Sequence, residues 1–155
     1  MSLKEYQYLL TLLLTQKEER NEFLFNRNSY LEKNSCSEET ISRLIALDEF
    51  QLNEASMGLI RKRWGVAKSL LQINSETAEF LRPLYFQYAE NNPIQGKVFK
   101  HQIDALNFIE SLNGQKISKD LDQHLKNRRK VILEYLKSEG HVPENKPKWK
   151  RFLKI

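Results

Sequence analysis

The 155-residue chain is poor in cysteine and histidine. Cys36 is its single cysteine, which excludes an intramolecular disulfide and a thiolate metal cluster. The three histidines, His101, His124 and His141, have no second histidine, cysteine or carboxylate at the spacing of a recognised metal motif. We therefore expect this chain to bind neither a metal ion nor another cofactor.

Glycine, proline and long apolar runs are also scarce. Five Gly and four Pro leave room for long helices and for few tight hairpins. The most apolar run, residues 9–14, is far too short to span a bilayer, and the first residues lack the basic and apolar regions of a signal peptide. These features predict a cytoplasmic protein without a membrane-spanning segment.

The apolar residues that are present recur at helical spacing, and no stretch alternates long enough to predict a strand. Helices are predicted over residues 2–15 and 17–30, through 41–45 after a capping box at 35–38, over 48–72, through 80–88, over 98–112, and from a cap at Ser118 to Gly140. The sequence thus predicts an all-α fold. We expect a single-domain orthogonal or irregular bundle of about six or seven helices over residues 1–138, followed by a basic C-terminal arm at 139–155.

The helix predicted over residues 48–72 has a broad apolar face that also contains Arg63. The apolar residues of this face are Leu59, Ile60, Trp64, Val66, Ala67, Leu70 and Leu71. Arg128 lies in a similar position among apolar residues of the last helix. A guanidinium placed in this way is either buried with a paired charge or extended outward towards water. It could form a structural ion pair, with Asp104 or a nearby Glu as its partner, or line a recess that binds a partner's carboxylate. The ion pair is the favoured interpretation because buried charges are normally paired.

No group of residues in the sequence supports catalysis. His101 and Asp104 lie three residues apart on one predicted helix face, but such a pair is commonly structural. Cys36 has no neighbouring histidine that would activate its thiol, and Gly65 is a lone glycine in a helix, not part of a phosphate-binding loop. We therefore predict a non-catalytic protein that binds another macromolecule.

Basic residues are concentrated towards the C-terminus. The net charge is +5, and residues 137–155 contain six Lys or Arg against two Glu. Within this segment, Lys146, Lys148, Trp149, Lys150 and Arg151 combine phosphate-binding charge with an aromatic ring on which a base can stack. Together with the basic stretches 61–63 and 126–130, these residues support an alternative function, that of a nucleic-acid-binding regulatory protein.

The order of features between residues 9 and 110 resembles that of a known family. The matching stretches are Leu9-Leu10-Thr11, Arg20 with Phe23-Leu24, Leu47-Asp48, Gln51-Leu52, residues 59–65, Leu70-Leu71, Phe80-Leu81 through Phe86 to Tyr88-Ala89, and His101 with Asp104-Ala105 and Phe108-Ile109. They resemble a bacterial helical domain found alone or fused to the C-terminus of multinuclear non-heme iron-dependent oxidases. They are also similar to helical proteins labelled as DNA-binding domains that are encoded beside such oxidases.

The resemblance implies a partner. Oxidases of this kind modify ribosomally made peptides, and their helical partners present the precursor peptide or support the enzyme. It therefore implies an accessory protein that contacts the oxidase or its precursor peptide, with the iron held by the partner enzyme. The residues that we expect to contact the partner are Arg61, Lys62, Arg63, His101 and Asp104. Residues 121–125 and the segment after Gly140 depart from the family's pattern.

Overall fold

The computed structural model describes residues 2–94 and 96–141. Its helices are α1 (Ser2–Thr15), α2 (Lys17–Phe25), α3 (Arg27–Lys33), α4 (Glu38–Ile45), α5 (Glu49–Leu71), α6 (Ser75–Asn91), α7 (Lys100–Ser111) and α8 (Lys119–Ser138). No strand occurs within these ranges, and the predicted all-α fold is confirmed. Most of the predicted basic arm, residues 142–155, lies outside the described residues, so the predicted division at residue 139 stays a prediction.

The helix predicted over residues 17–30 is divided into α2 and α3 at Asn26. This residue has extended backbone angles, φ −153° and ψ 94°, and its side-chain oxygen accepts a hydrogen bond from the backbone N–H of Ser29 at 3.1 Å. Asparagine competes with the helical hydrogen-bond pattern in this way, which is why it favours helix caps. This break adds one helix to the seven that periodicity predicts. The second of the two helices, α3, ends at Lys33, three residues beyond the predicted end.

Side chains cap the first turns of three helices, and the cap predicted at Ser118 is one of them. The side chain of Asp48 accepts from the backbone N–H of Gln51 at 3.0 Å, and that of Asn74 accepts from Thr77 at 2.8 Å. Ser118 accepts from the N–H of Leu121 at 3.1 Å. Each cap satisfies one of the N–H groups that a helix leaves without an internal acceptor.

The capping prediction for α4 was wrong by two residues. Ser35 has a positive φ of 51°, and the N-cap is Ser37, whose hydroxyl accepts from the N–H of Thr40. The carboxylate of Glu5 accepts from the backbone N–H and the hydroxyl of Ser37 at 2.9 and 3.0 Å. Hydrogen bonds from Thr40 and Ser37 lower the pKa of Glu5. The carboxylate of α1 thus lies at the N-terminus of α4, where negative charge is favourable.

The described residues form two compact units, and both α5 and α6 contribute to each of them. Unit 1 contains the described residues up to Lys62 together with Ala89–Pro93. Its core is built from Leu9, Leu13, Phe23, Tyr30, Leu31, Leu44 and Leu52. Phe23 and Tyr30 meet edge to face, with ring centroids 5.7 Å apart.

Unit 2 contains Arg63–Tyr88 and the described residues from Ile94 onward. One part of its core joins α7 to α8 through Ala105, Leu106, Ile132 and Leu136. A second part is an aromatic cluster of Trp64, Tyr85, Tyr88 and Phe108.

The apolar face predicted for α5 is narrower than expected. Ile60, Trp64, Ala67 and Leu71 are buried, but Leu59 and Val66 are each 38% exposed. The prediction was wrong for these two residues because they lie at the margins of the arc.

Candidate functional site

The charged pair that sequence patterning suggested lies in the core of unit 2. An Nη atom of Arg63, on α5, lies 2.7 Å from Oδ1 of Asp104, on α7. Their side chains are only 10% and 3% exposed. The favoured ion-pair interpretation therefore matches the observed contact, and Arg63 points at a carboxylate of its own chain.

Two tyrosines of α6 complete the hydrogen bonding of Asp104. The hydroxyl of Tyr85 donates to Oδ2 at 2.5 Å, and that of Tyr88 donates to Oδ1 at 3.0 Å. The tyrosines are three residues apart and share one face of the helix. A single carboxylate thus connects α5, α6 and α7, which satisfies the requirement that a buried charge be both paired and hydrogen-bonded.

The electrostatics of this network favour one fixed protonation state. Burial disfavours the charged form of Arg63, but the hydrogen bond and the attraction from Asp104 outweigh it and raise the pKa of the guanidinium. Burial, followed by the contact with Asp104, raises the pKa of Tyr85, and burial with the charge of Asp104 does the same for Tyr88. Arg63 therefore stays charged and both phenols stay neutral near pH 7, so the network is suited to holding helices together.

The other predicted contact residues have different environments. Arg61 and Lys62 belong to unit 1 and are exposed, and Arg61 lies 3.7 Å from Glu54. His101 is half-buried on α7 in unit 2. Its imidazole forms no hydrogen bond to Asp104 among the described contacts, because the carboxylate faces Arg63 and the two tyrosines. A partner-binding role for these residues stays a prediction.

Arg128, the second arginine expected on an apolar face, binds a helix end. Its Nε donates to the carbonyl of Leu70 at 2.9 Å, and Nε2 of His124 lies 2.8 Å from the carbonyl of Leu71. These are the last carbonyls of α5, which have no acceptor role inside the helix. Two side chains of α8 thus cap the C-terminus of α5.

Sequence reasoning missed the polar roles of Tyr85, Tyr88 and Arg20. Aromatic residues at helical spacing are usually apolar core, and the signal that distinguishes these two is the pair of hydroxyls three residues apart on one face. Arg20 is buried in unit 1, where an Nη atom donates to the carbonyls of Leu13 and Leu14 at 3.0 and 3.4 Å.

Three exposed apolar side chains lie at the end of α2, the end of α4 and the start of α5. They are Phe25, Ile45 and Phe50, and we refer to them together as the Phe25 surface. The exposed fractions of Phe25 and Phe50 are 92% and 71%. One Nη atom of Arg27 donates to the carbonyls of Ile45 and Leu47 at 2.8 and 2.6 Å. These hydrogen bonds join the start of α3 to the α4–α5 connection, and the two chain segments that carry Phe25 and Phe50 are held together there.

The described residues contain no group of three or more His, Cys, Asp or Glu side chains that could hold a metal ion. Nor is any described helix long and apolar enough to cross a membrane. Lys146, Lys148, Trp149, Lys150 and Arg151, the candidates for nucleic-acid binding, lie outside the described residues.

No protein family, curated protein or solved structure matches this chain. The resemblance to helical partners of iron-dependent oxidases therefore stays a prediction.

Proposed function

We propose that this protein is a non-catalytic binding module that uses the Phe25 surface to contact a protein partner. The partner class that the resemblance suggests is a peptide-modifying iron-dependent oxidase or its precursor peptide. The observation that carries the proposal is the exposure of Phe25 and Phe50 beside a junction that Arg27 holds in place.

These side chains contribute little apolar burial to the stability of the isolated protein. Burying a phenylalanine is worth about 1.5–3 kcal/mol, and neither Phe25 nor Phe50 obtains most of that gain within the described fold. Aromatic side chains are enriched in the centres of protein–protein interfaces and are common among the few residues that dominate affinity. An interface would supply the burial that the fold does not.

The junction also favours binding because it is preorganised. Arg27 holds two backbone carbonyls with short hydrogen bonds, and its guanidinium lies 5.0 Å from the ring centroid of Phe23 in the core of unit 1. A surface that is already fixed loses less conformational entropy on binding.

The basic stretches of the described helices support the nucleic-acid alternative less well. Lys126 pairs with Asp122 at 2.9 Å, Arg61 lies 3.7 Å from Glu54, and Arg128 donates to a backbone carbonyl. Their charge is partly used within the fold, so the alternative depends on residues 146–151.

The test is to purify tagged protein from its native host and identify what is recovered. Wild type is compared with the Phe25→Ser/Phe50→Ser double variant and with Phe80→Ser, a control at a half-exposed phenylalanine of unit 2. Wild type and control should recover the same iron-dependent oxidase or precursor peptide, and the double variant should lose it. In a direct titration with the purified partner, loss of each anchor should weaken binding about thirtyfold, the effect of a 2 kcal/mol hot spot.

Equal recovery by all three proteins would contradict the role of the Phe25 surface. Recovery of nuclease-sensitive nucleic acid, with an affinity that falls steeply as salt is added, would instead favour the regulatory protein.

A further inference from the structure

A cavity of about 220 Å³ lies between the C-terminal end of α7 and the N-terminal half of α8. Ile109, Leu112, Ile117 and Leu125 give it an apolar wall. An apolar cavity of about 150 Å³ is large enough for benzene, whereas drug-sized ligands need roughly 300 Å³ or more. The space therefore suits one branched aliphatic group with a small polar head.

Of the charged side chains that line this cavity, all but Arg129 have a hydrogen-bond or ion-pair partner among the described residues. Nζ of Lys126 lies 2.9 Å from a carboxylate oxygen of Asp122, and Oε1 of Glu110 accepts from the side-chain amide of Asn113 at 3.2 Å. Arg129 is half-buried, and no described residue forms an ion pair with it or accepts a hydrogen bond from it. A guanidinium has five N–H donors, so Arg129 presents the cavity with a cation whose donors are open.

From this arrangement we infer that the cavity binds an aliphatic carboxylate, such as the C-terminal leucine of a peptide or a free branched-chain acid. The carboxylate accepts paired hydrogen bonds from Arg129, and the aliphatic group packs on the wall formed by Ile109, Leu112, Ile117 and Leu125. The carboxylates of Glu110 and Asp122 also line the cavity and oppose a doubly charged phosphate, which favours a ligand with a single negative charge.

This site is independent of the proposed function because it lies in unit 2, whereas the Phe25 surface lies in unit 1. The inferred site also assigns a role to Arg129 within the basic stretch 126–130. Arg128 donates to the carbonyl of Leu70, Lys126 pairs with Asp122, and Lys130 is exposed, which leaves Arg129 as the basic residue directed to the cavity.

The experiment is a titration of the ¹⁵N-labelled full-length protein, followed by backbone-amide chemical shifts. The probes are N-acetyl-leucine and N-acetyl-leucinamide, which share the aliphatic group and differ in the carboxylate. N-acetyl-leucine should shift amides within residues 109–117 and 122–129 with a millimolar Kd, the range expected for so few atoms. N-acetyl-leucinamide should bind at least about tenfold more weakly, since it cannot accept charge-assisted hydrogen bonds.

Matched variants assign the effect to Arg129. Arg129→Gln should weaken N-acetyl-leucine binding about tenfold or more, Arg129→Lys should restore part of the affinity, and Lys130→Gln should leave it unchanged. The spectra themselves report whether each variant is folded. Equal binding of acid and amide, an unchanged affinity in Arg129→Gln, or shifts elsewhere on the protein would each overturn the inference.

Two further probes distinguish the sources of the ligand. A hexapeptide that ends in leucine should bind more tightly than N-acetyl-leucine if the site recognises a peptide terminus. 4-Methylpentanoate should match or exceed the hexapeptide if the site recognises a free acid. Either order supports an aliphatic-carboxylate site, and failure of both probes contradicts it.

Discussion

Unit 1 and unit 2 each bury an arginine, and the two guanidinium groups are stabilised in different ways. In unit 1, Arg20 donates to the carbonyls of Leu13 and Leu14, at the C-terminal end of α1. In unit 2, Arg63 faces the carboxylate of Asp104, which also accepts from Tyr85. The hydrogen bonds of the first arginine therefore go to the partial charges of a helix end, whereas that of the second goes to a full negative charge.

The pKa values of the two side chains shift in opposite directions. Burial lowers the pKa of Arg20, and the attraction from Glu90 offsets this only in part. For Arg63, burial also acts to lower the pKa, but the hydrogen bond and charge of Asp104 raise it overall. The comparison shows that the partner decides whether a buried cation is stabilised relative to water.

The largest expected effect follows from removing the full negative charge. Asp104→Ala leaves Arg63 buried without its carboxylate and should cost about 3–5 kcal/mol of unfolding free energy. Urea denaturation followed by tryptophan fluorescence measures the loss, because Trp64 lies 5.1 Å from Tyr85 between ring centroids. An Arg63→Ala/Asp104→Ala double variant should lose less than the sum of the single variants. A neutral Arg63→Ala would contradict a stabilising pair.

A smaller effect is expected for Arg20, whose hydrogen bonds go only to backbone carbonyls. Arg20→Met should cost about 1–2 kcal/mol, because the orphaned carbonyl at Leu13 loses a donor while removal of the desolvated cation returns part of the energy. Hydrogen exchange at the backbone amides of α1 and α2 reports on unit 1. If Arg20→Met proves as destabilising as Asp104→Ala, the distinction between partial and full charges does not explain the two sites.

The smallest effect concerns the phenols and depends on pH. The pKa of Tyr85 is raised in the fold above its ordinary value of 10.0, so the unfolded chain loses this proton first. The contribution of Tyr85 to stability is therefore complete below pH 10 and is lost as the pH rises above it. Relative to Tyr85→Phe, the wild type should lose about 1.4 kcal/mol in total between pH 9 and 11, most of it above pH 10. Urea titrations between pH 9 and 11 measure this difference, and parallel curves would contradict it.

Local chemistry explains which parts of the fold could be predicted. Asp48, Asn74 and Ser118 cap their helices through a backbone N–H three residues away, and such short-range bonds are visible in the sequence. The helix break at Asn26 was not predicted, although the hydrogen bond from Ser29 to its side chain is equally local. The apolar residues before and after Asn26 keep one helical spacing, which predicts a continuous helix.

The candidate sites were less predictable because they depend on packing between distant residues. Arg63 and Asp104 could be matched because a charge on an apolar face requires a partner, which limits the choice. The neighbouring sequence does not indicate that Phe25 is exposed, since it follows Phe23 and Leu24 directly and is as apolar as they are. Arg129 is likewise one basic residue among several, and only the position of α7 beside it creates a cavity.

The caps that α8 provides for α5 bear on how the protein is made. The carbonyls of Leu70 and Leu71 are separated from Arg128 and His124 by 58 and 53 residues. At a synthesis rate of about 5–20 residues per second, the end of α5 is translated about 3–12 s before its donors. During that interval only water can hydrogen-bond these carbonyls, and the caps form once α8 has been synthesised. The C-terminal caps of α5 are therefore long-range contacts that require closure of a loop of 53 to 58 residues.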